Sequence, residues 1–160
     1  MASVTRWSRG GISTIPFEHL SHELRPVLLD DLGWLPAIES LAAAVAARSV
    51  IVIEVRSSDV QRLPALVETV LYRVVQEALA NATRHARPRR IRVEIDQDQG
   101  CLRGIIRDDG VGFEVERCVR NGGLGLRGMH ERLGALGGSL QVVSAPGRGA
   151  EIRFRLPMRS

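Results

Sequence analysis

The sequence predicts an α+β domain, a two-layer sandwich whose mixed, mostly antiparallel sheet carries helices on one face. Three observations predict it. A long run, Leu63–Ala86, repeats apolar residues at three- and four-residue intervals, and directly after it the period falls to two across a hairpin. The chain then ends on two more alternating strands joined by a glycine-rich turn.

In chain order, residues 1–16 open with the Ser-, Gly- and Arg-rich stretch Met1–Ser13 and read as a flexible leader or a cloning remnant. From Phe17 to Asp31 the pattern is helical but interrupted by Pro26, and a second helix runs from Leu35 to Ala47. Val50–Val55 reads as a strand. In the long helix, Leu63, Leu66, Val67, Val70, Leu71, Val74, Ala78 and Ala82 form one apolar stripe, and Pro88 closes it. Ile91, Val93 and Ile95 then alternate with Arg92 and Glu94, a turn follows around Gly100, and Leu102–Arg107 returns as the second arm of the hairpin. A glycine-rich loop leads into a short helix over Leu126–Leu136, stopped by Gly137 and Gly138. The last strands, Leu140–Ser144 and Ala150–Leu156, flank the turn Ala145–Gly149. Residues 48–158 form the domain core.

The chain has 160 residues, 44% of them hydrophobic, enough for one domain with a core of its own. The net charge of +4 is scattered rather than massed in a run, and aromatics make up only 4%. Both features argue against direct nucleic-acid binding, which needs basic tracts and stacking platforms. Apart from 4 histidines, every basic residue is arginine. A Walker loop needs its lysine, and so does a eukaryote-type protein kinase, so any nucleotide bound here requires another scaffold. The 2 cysteines, Cys101 and Cys118, are too few for a disulfide framework or zinc knuckle and fit a reducing compartment. The longest apolar stretch, Leu41–Ala47, is far short of a membrane span, and no signal-peptide core precedes it. The sequence reads as soluble and intracellular, without membrane contact.

On a helical wheel centred on Val74, Asn81 and His85 each fall about 20° from the middle of the apolar stripe. Both are expected to point inward. Glu77 falls at one edge of the stripe and Arg84 slightly further round the same side. A buried amide or imidazole costs a few kcal/mol, roughly, unless partnered. Bonding to nearby backbone accounts for one such residue; four at i, i+4, i+7 and i+8 point to something polar filling the space they face.

Asp108 ends its strand on the parity of Leu102 and Ile106, so its carboxylate lies on an otherwise apolar face. It could accept from an exocyclic amine, and Gly110 and Gly112 would let a flat ring approach the backbone. A plain Asp-Gly turn is the competing reading. Gly122, Gly123 and Gly125 precede the short helix, and their amides would face an anion at its N-terminus, or simply form a helix entry.

These segments carry a family resemblance. Leu71–Ala86, reading L-Y-R-V-V-Q-E-A-L-A-N-A-T-R-H-A, resembles the N box of sensor histidine kinases. Asp108–Phe113 resembles the first glycine box and Gly123–Leu133 the second. The G-L-R-G-M-x-E-R-L form, with L-R-P-x-x-L-D-D-L-G from Leu24 to Gly33, is similar to the kinase subfamily that pairs with NarL-type response regulators. The likeness spans His22 to Pro157.

The resemblance implies a Bergerat-type ATP site built without lysine, holding ATP and Mg²⁺. Asp108 would recognise the adenine amine, Asn81 would coordinate Mg²⁺ bridging the phosphates, and Glu77 would be the catalytic base or polarising group. Arg84 and His85 would neutralise phosphate charge; Gly110 and Gly112 would border the base, and Gly123, Leu124, Gly125 and Leu126 would form the lid. The phosphoacceptor would be a histidine on a separate dimerisation domain of the same kinase, with a NarL-type response regulator downstream and a cytoplasmic location. Residues 17–47 would comprise the end of a dimerisation helix and the first helix of the catalytic domain.

This sequence departs from the family pattern in two places. The terminal motif reads Gly147-Arg148-Gly149-Ala150 where threonine is more usual after the second glycine, so a hydroxyl contact is lost. Ser21–Pro26 superficially resembles an acceptor-histidine box, but too few residues separate it from the N box for two long helices. His22 is therefore assigned to the end of the second dimerisation helix. A serine kinase and anti-sigma factor of the same fold, or an ATPase of the gyrase or chaperone kind, are the rival readings.

Overall fold

The computed structural model describes residues 25–58, 60 and 62–158, together with the backbone of residues 3–7. In chain order the elements are β1 (Ser3–Trp7), α1 (Val27–Leu32), α2 (Trp34–Ala47), β2 (Val52–Ser57), α3 (Ala65–Asn81) with a π turn over Ala82–Ala86, β3 (Arg90–Asp98) and β4 (Cys101–Asp108). They continue with α4 (Val115–Arg120), α5 (Leu124–Ala135), β5 (Ser139–Ser144) and β6 (Ala150–Pro157). The sheet order is β1-β5-β6-β4-β3-β2, with β2 parallel to β3 and every other neighbour antiparallel. This is the mixed, mostly antiparallel two-layer arrangement that the sequence predicts.

Alternation along the strands decides which face is covered. Ile91, Val93 and Ile95 of β3, Leu102 and Ile106 of β4, Leu140 and Val142 of β5, and Ile152, Phe154 and Leu156 of β6 are all buried. Their intervening neighbours Arg107, Arg153 and Arg155 are exposed. Onto the apolar face pack Val70, Leu71, Val74, Val75, Ala78 and Leu79 of α3, with Leu126, Met129 and Leu133 of α5. Gly104 lies opposite Phe154, and a Cβ there would collide with the aromatic ring, so the missing side chain is what lets the ring lie flat on the sheet.

Several boundaries differ from those expected. Pro26, read as an interruption of a helix, instead precedes the first turn of α1, where its missing N–H costs nothing; the rest of the expected helix, including His22, lies outside the described residues. β2 begins at Val52, whose N–H donates to the Arg89 carbonyl and so starts the pairing with β3. Residues 3–7, read as part of a flexible leader, form β1, whose backbone pairs antiparallel with β5 along an edge that no sequence pattern announces. The segment before α5, expected as a glycine-rich loop, contains α4. Gly137 at φ 76° ends α5: its N–H donates to Gly134 and that of Gly138 to Leu133, the Schellman pattern.

The largest difference is at the end of α3, where the α-helix gives way to a π turn at Ala82. Thr83 Oγ1 donates to the carbonyls of Leu79 and Ala80, competing with the backbone ladder. Arg87 at φ 47° and Pro88 then end the helix, and the Ala86 carbonyl accepts instead from Val111 N at 2.8 Å. Among the described residues no helix is long and apolar enough to cross a membrane.

Candidate functional site

One row of the sheet sets the floor of the site. Asp108 of β4, Ala150 of β6 and Ser144 of β5 are successive cross-strand partners, all on the helix-covered face. Above this row the layers part, because the β4–α4 loop carries glycine where a side chain would collide. A Cβ on Gly110 would come 2.2 Å from the Ala86 carbonyl oxygen, and one on Gly112, at φ 65°, 2.0 Å from that of Ala145. The result is a cavity of about 610 Å³ between α3, the loop after β4, the α4–α5 segment and β6.

Glu77, Asn81, Arg84, His85, Asp108, Gly112, Gly123, Leu124, Gly125 and Leu126 all line this cavity. Gly110 packs behind it against Ala86. The wheel centred on Val74 needs adjustment. The buried arc of α3 is shifted toward Leu71, Val75, Ala78 and Ala82, so Glu77 and Asn81 lie at its edge, half-buried, and face the cavity from there. His85, expected to point inward, is exposed at the rim together with Arg84, because the π turn changes the angular step after Asn81.

Backbone amides from the loop after β4 and from β6 act on the carboxylate of Asp108. Gly110 N donates to its Oδ1 at 2.8 Å, and the amide of Ala150, its cross-strand partner on β6, also favours the charged form. Burial is the main influence on its pKa and pushes it up; the two amides oppose this, and the neighbouring Asp109 charge adds to it. Asp109 behaves oppositely: the amides of Arg90 and Arg89 donate to its Oδ1 and hold its pKa low, against a smaller effect of burial. Asp109 thus ties the loop to the start of β3, leaving Asp108 to face the cavity.

Across the cavity, the first turn of α5 comes down on Glu77 and Asn81. A Cβ on Gly125 would lie 2.4 Å from Glu77 Oε1 and 2.8 Å from Asn81 Nδ2, so only glycine permits this approach. The first-turn amides of α5 have no partner within the helix and border the same space, a suitable seat for an anion. No group of three or more His, Cys, Asp or Glu residues able to hold a metal occurs among the described residues. A divalent cation here would draw most of its ligands from a phosphate-bearing substrate, with the Asn81 oxygen as a hard donor.

Sequence reasoning missed Phe113 and Ile152 in the cavity wall and Ser144 beneath it, while Ala150, noted in the sequence for its missing hydroxyl, also lines the wall. Ser144 carried a usable signal, for it shares the inward parity of Leu140 and Val142 just as Asp108 shares that of Leu102 and Ile106.

Residues 66–160 match the family model described as histidine kinase-, DNA gyrase B-, and HSP90-like ATPase. The sensor histidine kinase MctS of Rhizobium johnstonii is 40% identical over 129 residues, 79% of this chain and 28% of that protein. The signal transduction histidine-protein kinase/phosphatase DegS of Brevibacillus brevis is 32% identical over 138 residues, 86% of this chain and 36% of that protein. Among solved structures, the histidine kinase domain of the Erythrobacter litoralis EL346 blue-light activated histidine kinase aligns with a TM-score of 0.65 at 25% identity, over 76% of this chain and 59% of that one. The chain therefore spans well under half the length of the two protein relatives. With the cavity, the N-box helix and the two glycine segments in the family's order, the chain belongs to the histidine kinase-, DNA gyrase B- and HSP90-like ATPases.

Proposed function

We propose that this chain is the ATP-binding catalytic domain of a two-component sensor histidine kinase, transferring the γ-phosphoryl group of ATP to a histidine on a separate dimerisation domain. The observation that carries the reading is the convergence of Glu77, Asn81 and Asp108, from two elements distant in sequence, on one cavity closed by the glycine-rich start of α5.

In this reading Asp108 accepts the exocyclic amine of adenine, and the bare backbone at Gly112 lets the ring approach. The Asn81 side-chain oxygen would help hold Mg²⁺ brought in with the nucleotide, and the ion would offset phosphate charge. Arg84 and His85 add positive charge at the rim, and the amides of Leu124, Gly125 and Leu126 face the phosphates while Gly123 acts as a hinge. Glu77 accepts the proton from the incoming imidazole as its nitrogen bonds to phosphorus and the bond to the ADP oxygen breaks. Phosphoryl transfer demands mostly positioning and charge compensation, and this set supplies both without lysine.

The segment entering α1 is read as the end of a dimerisation helix, the next phosphoryl acceptor as a NarL-type response regulator, and the site of action as the cytoplasm, where ATP is. Mixing the chain with γ-labelled ATP and a separately prepared dimerisation fragment tests the reading. Acid-labile label on a histidine of that fragment is expected. Label on serine of an added protein would support the serine kinase and anti-sigma reading, and hydrolysis without transfer the bare ATPase.

A further inference from the structure

We infer that Ser144 is a positioning residue for nucleobase selection, acting on Asp108 through a single peptide unit. The inference rests on the adenine-recognising role proposed for Asp108. Ser144 is buried, 2% exposed, at the end of β5, and does not itself line the cavity. Its Oγ donates to the Gly149 carbonyl at 2.7 Å and accepts from Phe113 N at 2.9 Å.

The Gly149 carbonyl and the Ala150 N–H belong to one peptide group beside Asp108, the cross-strand partner of Ala150, and that N–H favours the ionised form of the Asp108 carboxylate. A peptide group is planar, so fixing its oxygen fixes the direction of its N–H. The hydroxyl on one side of the plane thereby sets the donor that aims the carboxylate on the other, and each bond polarises the next. Gly149 at φ 65° is pressed onto Asp108, where a Cβ would come 2.2 Å from the Asp108 carbonyl oxygen. The plane has no side chain of its own to hold it. At residue 150 the methyl group of alanine stands between Asp108 and Ser144 in the row and offers no hydroxyl. Orientation of this peptide therefore falls to Ser144. Its second bond, from Phe113 N, ties the loop containing Gly110 to the same oxygen, and Gly110 supplies the other amide on Asp108. Both amides that favour the ionised carboxylate are thus braced from one buried hydroxyl.

The test compares ATP with inosine triphosphate, which lacks the exocyclic amine, by calorimetric titration of the chain with magnesium present. Ser144→Thr keeps the hydroxyl and Ser144→Val has the same shape without it, so packing changes are matched; Ser144→Ala is the smaller companion. Thr is expected to retain the wild-type preference for ATP. Val and Ala should weaken ATP binding by about tenfold while leaving inosine triphosphate binding unchanged, so that the preference shrinks by that factor. A merely structural hydroxyl would lower both affinities equally, and an unchanged ratio in Val and Ala overturns the inference. If the wild type itself shows no preference for ATP over inosine triphosphate, the proposed role of Asp108 fails first and Ser144's falls with it.

Discussion

Asp108 shows at the scale of one residue how recognition and stability are set against each other. Burial raises its pKa against the pull of the Gly110 and Ala150 amides. A raised folded-state pKa means that between the unfolded and folded values the native protein binds the extra proton, so ionisation withdraws stability as pH rises through that window. The ionised form is the one that accepts a hydrogen bond from an exocyclic amine. ATP affinity should therefore begin to fall, on acidification, at a pH above the ordinary aspartate range. Asp108→Asn should abolish nucleotide binding while the ligand-free melting temperature stays level or rises. Calorimetric titration over a pH series, beside scanning calorimetry of the variant, measures both; an affinity flat through the carboxylate range would remove the assigned role. Asn81 and Glu77 separate in a different way. Asn81→Asp should remove the magnesium dependence of ATP binding, whereas Glu77→Gln should bind ATP normally and transfer the phosphoryl group about 10²–10⁴-fold more slowly. Loss of binding in the Glu77 variant would reassign it. Asn81 was expected near the middle of the stripe and lies at the edge of the buried arc, but the setting of Glu77 at that edge was legible from helical period alone. That of His85 was not, because the Thr83 hydroxyl diverts the ladder at a point where the apolar pattern runs on undisturbed.

Among the elements, the join between α1 and α3 rests on a buried ion pair that the apolar stripe concealed. Glu68 is 1% exposed, and its Oε2 accepts from Arg25 Nη2 at 2.7 Å. Arg25 also donates through Nη1 to the Ala65 carbonyl and to Thr69 Oγ1, which clamps the residues before α1 onto the first turn of α3. Glu68 Oε1 has no hydrogen bond, and the Nε of Arg62 stands 3.9 Å away. The pair is thus a connection with one unsatisfied acceptor rather than a closed network. Removing the cation that hydrogen-bonds it should be severe: Arg25→Ala is expected to cost about 3 kcal/mol, the low end for a broken buried pair because the arginine is partly exposed. Glu68→Gln keeps hydrogen-bonding capacity and should cost less. Urea midpoints of the two variants and of the double variant give the coupling energy, and additive effects would show that the pair holds nothing. In sequence Glu68 looks like a first-turn acid at home in solvent. Only the arrival of Arg25 across 43 residues of chain buries it, and no local pattern encodes that.

For the molecule as a whole, the type of most elements followed from periodicity, but β1, α4 and the strand order did not. A period of two identifies β3 and β4 as a hairpin, since Gly100 and a short turn leave them little choice. It cannot say that β6 inserts between β4 and β5, which depends on which inward faces fit the helices. Nor does it foresee β1, whose pairing with β5 is a matter of free backbone groups on an edge. The parallel contact of β2 with β3 follows once α3 is recognised as the crossover between them. This wiring has a consequence for ligand binding. The cavity walls come from α3, the loop after β4, the α4–α5 segment and β6, so one occupant bonds four stretches that otherwise meet mainly through the core. ATP should stabilise the fold by mass action, about 2.7 kcal/mol at a free concentration of one hundred times Kd. Its added protection against amide exchange should appear together in the last turn of α3, residues 108–113 and 122–126. The α4–α5 stretch should gain most, for its glycines leave it the fewest constraints when empty. Protection confined to one of these stretches, or a melting temperature indifferent to ATP, would mean that the nucleotide does not occupy the space between the layers.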